Sequence, residues 1–83
     1  MEKQVVKAHF GDEIEKASVS FWYVKEGQEI EKDQPLIEFV TEKTSFTFTS
    51  PFTCKIIKLL AGEGDEIISG QNIAEVEIKN ETD

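Results

Sequence analysis

Apolar and polar positions alternate along much of the chain. The alternation is strictest in Ser45-Phe46-Thr47-Phe48-Thr49, which sets two Phe on one face and three hydroxyl side chains on the other. A period of two reads as pleated strand. The pattern predicts strands at 3–10, 18–24, 28–31, 36–41, 45–50, 54–60, 66–68 and 73–79. Between them fall Gly27, Asp33-Gln34-Pro35, Gly62-Glu63-Gly64-Asp65 and Ser69-Gly70, all with turn chemistry. Ile, Val and Thr supply 21 of the 83 residues and Phe six more, against four Ala and three Leu. Branched and aromatic side chains suit a pleated surface better than a helix. Eight short strands at this spacing predict an all-β sandwich or flattened barrel.

A repeat organises those strands. At an offset of 37, residues 24–39 lie over 61–76 with six identities in sixteen: Glu26/Glu63, Gly27/Gly64, Glu29/Glu66, Ile30/Ile67, Gln34/Gln71 and Glu38/Glu75. Leu36 over Ile73 and Phe39 over Val76 keep the apolar character. Neither half is large enough to bury its own apolar face, so the halves pack on each other as a quasi-twofold pair of sheets. The same offset places 41–44 over 78–81, at the chain's end. Thr41-Glu42-Lys43-Thr44 is therefore the hairpin joining the halves, opposite the termini, with Lys43 at its most exposed point. Lacking Gly and Asn, it predicts a type I turn or a slightly longer loop rather than a primed turn.

Size and charge narrow the function. Eighty-three residues make one domain, 1–83, with a single thin core, because so short a chain buries only about 60–65% of its unfolded surface. Seventeen acids oppose nine bases, all Lys, for a net charge of −8. Such a surface repels polyanions and excludes nucleic acid as a partner. No apolar run exceeds four residues and Met1-Glu2-Lys3-Gln4 is no secretory signal, so neither a membrane nor export is expected. A lone Cys54 fits a reducing cytoplasm. One His (His9) and one Cys exclude a Cys/His metal cluster, and no calcium loop is present. Gly62-Glu63-Gly64 lacks the third glycine of a phosphate cradle and reads as a turn. Cys54 reads as a small buried side chain and His9 as a surface or satisfied histidine. No catalytic or metal site emerges, and the default is a binding or carrier module, monomeric when isolated.

Several spaced motifs then agree. Trp22-Tyr23-Val24-Lys25-Glu26-Gly27, Glu31-Lys32-Asp33-Gln34-Pro35-Leu36-Ile37-Glu38 and Thr41-Glu42-Lys43-Thr44, with Ser50-Pro51, Glu63-Gly64-Asp65 and Gly70, resemble the lipoyl domains of 2-oxo acid dehydrogenase complexes, within the biotinyl/lipoyl attachment family. The likeness runs from about Gly11 to Ile78. It implies a flattened barrel-sandwich hybrid of two four-stranded antiparallel sheets. It also implies lipoate in amide linkage on Lys43, with Glu42 and Thr44 as flanking recognition residues. A lysine amine is protonated at neutral pH, so a lipoate-attaching enzyme must supply the activated acyl group and take the proton. The further partners implied are a thiamine-dependent 2-oxo acid dehydrogenase that acylates the arm, an acyltransferase core that passes the acyl group to coenzyme A, and a flavin-dependent dihydrolipoamide dehydrogenase that restores the disulfide. The domain itself takes no catalytic part, and it is either free-standing or a piece of a dihydrolipoamide acyltransferase. Asn80-Glu81-Thr82-Asp83 suits a terminus or the start of a linker.

The chain departs from the family pattern at four places. Glu42 stands where the family commonly has Asp, Gln28 where it often has Asp, and Ala17 and Cys54, themselves 37 apart, where it usually has Gly. If those last positions need positive φ, Ala and Cys adopt it at a cost of about 1 kcal/mol or more. The nearest alternative is a biotin carrier domain, whose hairpin resembles Met-Lys-Met, whereas here Glu42 and Thr44 flank Lys43. A second alternative is an unmodified interaction module of the same fold that docks through its edge strands. The aromatics Phe21, Trp22 and Tyr23 read as scaffold with at least one ring facing water, and Phe46, Phe48, Ile56, Leu59, Ile30 and Ile67 as core.

Overall fold

The computed structural model describes residues 2–79, and all regular structure among them is strand. The segment 80–83, and with it part of the 78–81 repeat image of the hairpin, lies outside the described residues. The strands are β1 (Glu2–Lys7), β2 (Lys16–Trp22), β3 (Glu29–Ile30), β4 (Pro35–Val40), β5 (Ser45–Thr49), β6 (Cys54–Leu59), β7 (Glu66–Ile68) and β8 (Asn72–Ile78). All eight predicted strands exist, with limits displaced by up to three residues. Pairing sets those limits rather than alternation. β2 begins at Lys16 because Lys16 pairs with Ile68, and β1 stops at Lys7 where its register against β8 shifts.

Two antiparallel four-stranded sheets result, ordered β1-β8-β6-β3 and β5-β4-β2-β7. The repeat converts one order into the other: β8 corresponds to β4, β6 to β2 and β3 to β7, leaving β1 opposite β5. Each sheet is therefore built from both halves of the chain. The duplication extends to single hydrogen bonds. Ile56 N–H donates to Gln28 O and Val19 N–H to Asp65 O, both at 2.8 Å; Tyr23 N–H donates to Leu36 O and Leu60 N–H to Ile73 O, both at 2.9 Å. Gln28 Oε1 accepts from Lys25 N–H at 3.1 Å just as Asp65 Oδ2 accepts from Gly62 N–H at 2.8 Å. The Gln28 departure is thus harmless, since an amide oxygen closes the turn as a carboxylate does.

Bulges repeat too. Register shifts between Val19 and Phe21 in β2 and between Ile56 and Lys58 in β6 leave Ser20 and Ile57 as the extra residues. Shifts at Pro35/Ile37 and near Ile73 turn two consecutive side chains inward, so Leu36-Ile37 and Ile73-Ala74 are all buried despite being neighbours. With Val6, Ala17, Val19, Ile30, Phe39, Cys54, Ile56, Ile67 and Val76 they fill the space between the sheets. Phe46, Phe48 and Leu59 are half-buried and pack against this core, as do Phe10 and Trp22. Phe21 and Tyr23 face water, with their rings 4.7 Å apart, while Trp22 turns inward and donates Nε1–H to Ala61 O at 2.9 Å.

No strain accompanies Ala17 and Cys54. Among the described residues Asp33 (φ 76°) is the non-glycine residue at positive φ, so Ala17 and Cys54 have ordinary backbone and the positive-φ cost does not arise. Both open buried strand segments and sit beside an isoleucine of a short strand, Ala17 opposite Ile67 and Cys54 opposite Ile30. What the sites require is a small side chain, and an ordinary φ admits Ala and Cys. Asp33 itself matches Gly70 (φ 90°): Asp33 N–H donates to Ser50 O at 2.8 Å and Gly70 N–H to Ala8 O at 2.7 Å.

Candidate functional site

The chain leaves β4 at Val40, which pairs with Ser45 at the start of β5, so residues 41–44 form the whole connection. β4 enters its sheet beside Thr49. Beyond β5, Thr53 O accepts Lys79 N–H at 3.0 Å, and Ile78 pairs with both Glu2 and Cys54. The hairpin and the two ends of the described chain therefore lie at opposite ends of the sandwich.

Within the hairpin, Thr41 N–H donates to Thr44 O at 2.7 Å. The returning donor, Thr44 N–H, goes to the Thr41 hydroxyl at 3.1 Å, as does Lys43 N–H at 3.2 Å. That hydroxyl donates in turn to Thr44 O at 3.2 Å. No residue of 41–44 has positive φ, in keeping with the expectation that the turn is not of the primed kind. Glu42, Lys43 and Thr44 are all exposed, and the Thr44 hydroxyl donates to Ser45 O at 3.3 Å.

Lys43 projects from this frame without an ionic partner among the described residues. Among the described residues the ion pairs are Lys16–Glu66 at 3.6 Å and Lys79–Glu29 at 3.0 Å, and neither reaches the hairpin lysine. Beside the hairpin runs an open groove of about 450 Å³, bounded by Glu13, Ile14, Glu15 and Lys16 on one side and by 41–44 on the other. The segment 13–16 was not tied to the site by sequence, because only the docking of the β1–β2 connection brings it there. Thr41 was likewise given no role of its own. Nothing in the sequence marks it, since the N–H groups of an exposed loop can bond to water as well as to a side chain.

His9 is exposed and Cys54 buried in the core, both remote from the hairpin in sequence and pairing. Burial pushes the Cys54 thiol above its ordinary pKa, opposed in part by a hydrogen bond with Ser50. What the site offers chemically is one free primary amine on four methylenes, held out by a short, internally bonded turn.

A two-sheet sandwich with an exposed lysine on its connecting hairpin is the arrangement that a covalent-carrier module would need. The sequence model of the family described as "Biotin-requiring enzyme" matches residues 3–76, and the chain belongs to this biotin/lipoyl attachment family. It is 28% identical over 73 residues to the dihydrolipoyllysine-residue succinyltransferase component of the 2-oxoglutarate dehydrogenase complex of Rickettsia bellii, covering 88% of this chain and 18% of that protein. It is 30% identical over 76 residues to the mitochondrial lipoamide acyltransferase component of the branched-chain alpha-keto acid dehydrogenase complex of Arabidopsis thaliana, covering 92% of this chain and 16% of that protein. The chain thus spans less than a fifth of the length of these relatives. Among solved structures, the lipoyl domain of the 2-oxoglutarate dehydrogenase complex of Azotobacter vinelandii superimposes with a TM-score of 0.72 at 22% identity, over 92% of this chain and 98% of that one. The Kluyveromyces lactis urea carboxylase gives a TM-score of 0.76 at 16% identity over 92% of this chain and 6% of its own. Both establish the fold.

Proposed function

We propose that this domain carries lipoate in amide linkage on Lys43 and moves acyl groups and electrons between the components of a 2-oxo acid dehydrogenase-type complex. The observation that carries the reading is the Lys43 amine, unpaired among the described residues, at the tip of the 41–44 hairpin and at the end of the sandwich away from the chain ends. An arm that visits several enzymes needs a rigid support and a free tip. The hydrogen-bonded hairpin is the support, and the lysine side chain is the flexible part. Bound there, lipoate supplies a dithiolane able to hold an acyl group and two electrons.

Attachment joins the lipoate carboxyl carbon to Lys43 Nζ. The amine must lose its proton to a base of the attaching enzyme, and the activating group departs from the carboxyl. Glu42 and Thr44 are the side chains such an enzyme meets first. A thiamine-dependent dehydrogenase, an acyltransferase core and a dihydrolipoamide dehydrogenase are the partners this role requires. The domain's own part is support, not catalysis. Lipoate is favoured over biotin by the acyltransferase relatives that match nearly the whole chain and by Glu42 and Thr44 about the lysine.

The test is intact-mass analysis and peptide mapping after incubation with a lipoate ligase and lipoate or, separately, a biotin ligase and biotin. One lipoyl adduct on Lys43, absent from Lys43→Arg, is expected. A biotinyl adduct alone would assign the domain to a carboxylase. With neither adduct, the chain would be an unmodified interaction module.

A further inference from the structure

We propose that the Thr41 hydroxyl is a positioning residue for the loading of Lys43, which it orients for the attaching enzyme; this rests on the reading of Lys43 as the loaded lysine. A threonine hydroxyl has one donor and two acceptor sites. In this hairpin all three are used: the donor on Thr44 O, and the acceptors on Lys43 N–H and Thr44 N–H, at 3.1–3.2 Å. The closing pair of the hairpin therefore has one main-chain hydrogen bond, Thr41 N–H to Thr44 O, and the side chain of Thr41 supplies the rest.

The need for that side chain follows from the loop's residues. Two-residue hairpin loops that suit strand twist place residues at positive φ, usually Asn or Gly. Glu42 and Lys43 do not adopt it. Their turn splays from the ladder, and its inner N–H groups would point to water without the Thr41 oxygen. The bond to Lys43 N–H acts on the residue to be modified itself, fixing the peptide from which its side chain departs.

The fold does not demand a hydroxyl here. The repeat counterpart of Thr41 is Ile78, whose position in β8 is an ordinary strand residue paired with Glu2 and Cys54. The two positions differ in what they serve: one continues a ladder, the other ends it and starts the lysine turn. Orientation of a nucleophile within an enzyme's site changes rates steeply, since small misplacements forfeit much of the advantage of proximity. A hairpin with loose Lys43 and Thr44 amides presents the amine in many orientations, few of them productive.

The experiment compares wild type, Thr41→Val, which keeps the shape and deletes the hydroxyl, and Thr41→Ser, which keeps the hydroxyl. Amide hydrogen exchange at Lys43 and Thr44 is read by NMR, with the melting temperature and kcat/KM for lipoate ligase acting on each protein. Thr41→Val should speed exchange at those two amides and lower kcat/KM about tenfold, with other amides and the melting temperature nearly unchanged. Thr41→Ser should restore both readouts. Equal loading of Thr41→Val and wild type would overturn the proposal, as would failure of Thr41→Ser to rescue. If wild type itself takes no lipoate, the Lys43 reading fails instead. Unchanged exchange at Lys43 and Thr44 in Thr41→Val would then reject the hydroxyl's positioning role independently.

Discussion

Gly27 and Gly64 stand 37 residues apart in one conformation, φ 91° and 90°, and each donates its N–H to the matching strand of the opposite half: Gly27 to Ile56 O at 2.7 Å and Gly64 to Val19 O at 2.8 Å. The turn of each half is thereby fastened to the strand of the other. A Cβ built on either glycine meets nothing within 4 Å, so space is not what the position demands. Backbone conformation is. Gly27→Ala and Gly64→Ala should each cost about 1–2 kcal/mol, the penalty of left-handed backbone for an L-residue, and agree within about 0.5 kcal/mol. Urea denaturation of the two variants checks this. Unequal losses would mean that the duplicated geometry is not duplicated in energy.

Phe39 is the aromatic hub of the core. Its ring centroid lies 5.0 Å from that of Phe10, 5.7 Å from Phe46 and 6.4 Å from Phe48. Fully buried, it joins β4 and β5 to the connection that leads from β1 into β2. Phe39→Ala should cost about 3–5 kcal/mol through lost burial and a cavity, a large share of a small domain's stability. Phe39→Leu should cost distinctly less, because more of the volume is retained. Thermal unfolding followed by Trp22 fluorescence separates the two, and equal losses would point to the ring contacts rather than the volume.

Much of this architecture was legible from residue pattern because the turns repeat. Glu26-Gly27 and Glu63-Gly64 mark equivalent bends, and Lys43 falls in the stretch whose repeat image is the end of the chain. The strict alternation of β5 gave its faces directly. The bulges were not legible: Leu36-Ile37 and Ile73-Ala74 bury adjacent side chains, which period-two reasoning forbids unless an extra residue is known to be there. Nor did the offset reveal that each sheet mixes strands of both halves, since equivalence of two segments does not say which segments pair. The Thr41 hydroxyl escaped for another reason. Its role is a matter of bond directions within four residues, and Thr is ordinary at the end of a strand.

Glu42 adjoins the lysine and is exposed, outside both ion pairs of the described residues. Removing its carboxylate should leave stability within about 0.5 kcal/mol. If the attaching enzyme reads that charge to place the amine, Glu42→Ala should slow lipoylation of Lys43, while Glu42→Asp, one methylene shorter, should load at least as well as wild type. Initial rates at several ligase concentrations provide the comparison. Equal rates for Glu42→Ala and wild type would remove Glu42 from recognition and leave the hairpin backbone and Thr44 as the features read.

Burial of the Cys54 thiol should make the domain less stable at alkaline pH. The thiol is buried between β3 and β8, and burial raises its pKa more than the Ser50 hydrogen bond lowers it. In the unfolded chain a thiol ionises from about pH 8.5, whereas the native state keeps its proton to higher pH. The native state then binds more protons than the unfolded one, so stability declines as pH rises. The contribution is fully present below about pH 8.5 and is lost progressively until the native thiol itself ionises. Cys54→Ala has no thiol to titrate. It should be less stable than wild type by about 1 kcal/mol at pH 7 through lost packing, and its disadvantage should shrink as pH rises through the thiol range. Urea midpoints of both proteins from pH 7 to about pH 10 decide the matter. A constant gap across that range would show that burial does not hold the proton on Cys54.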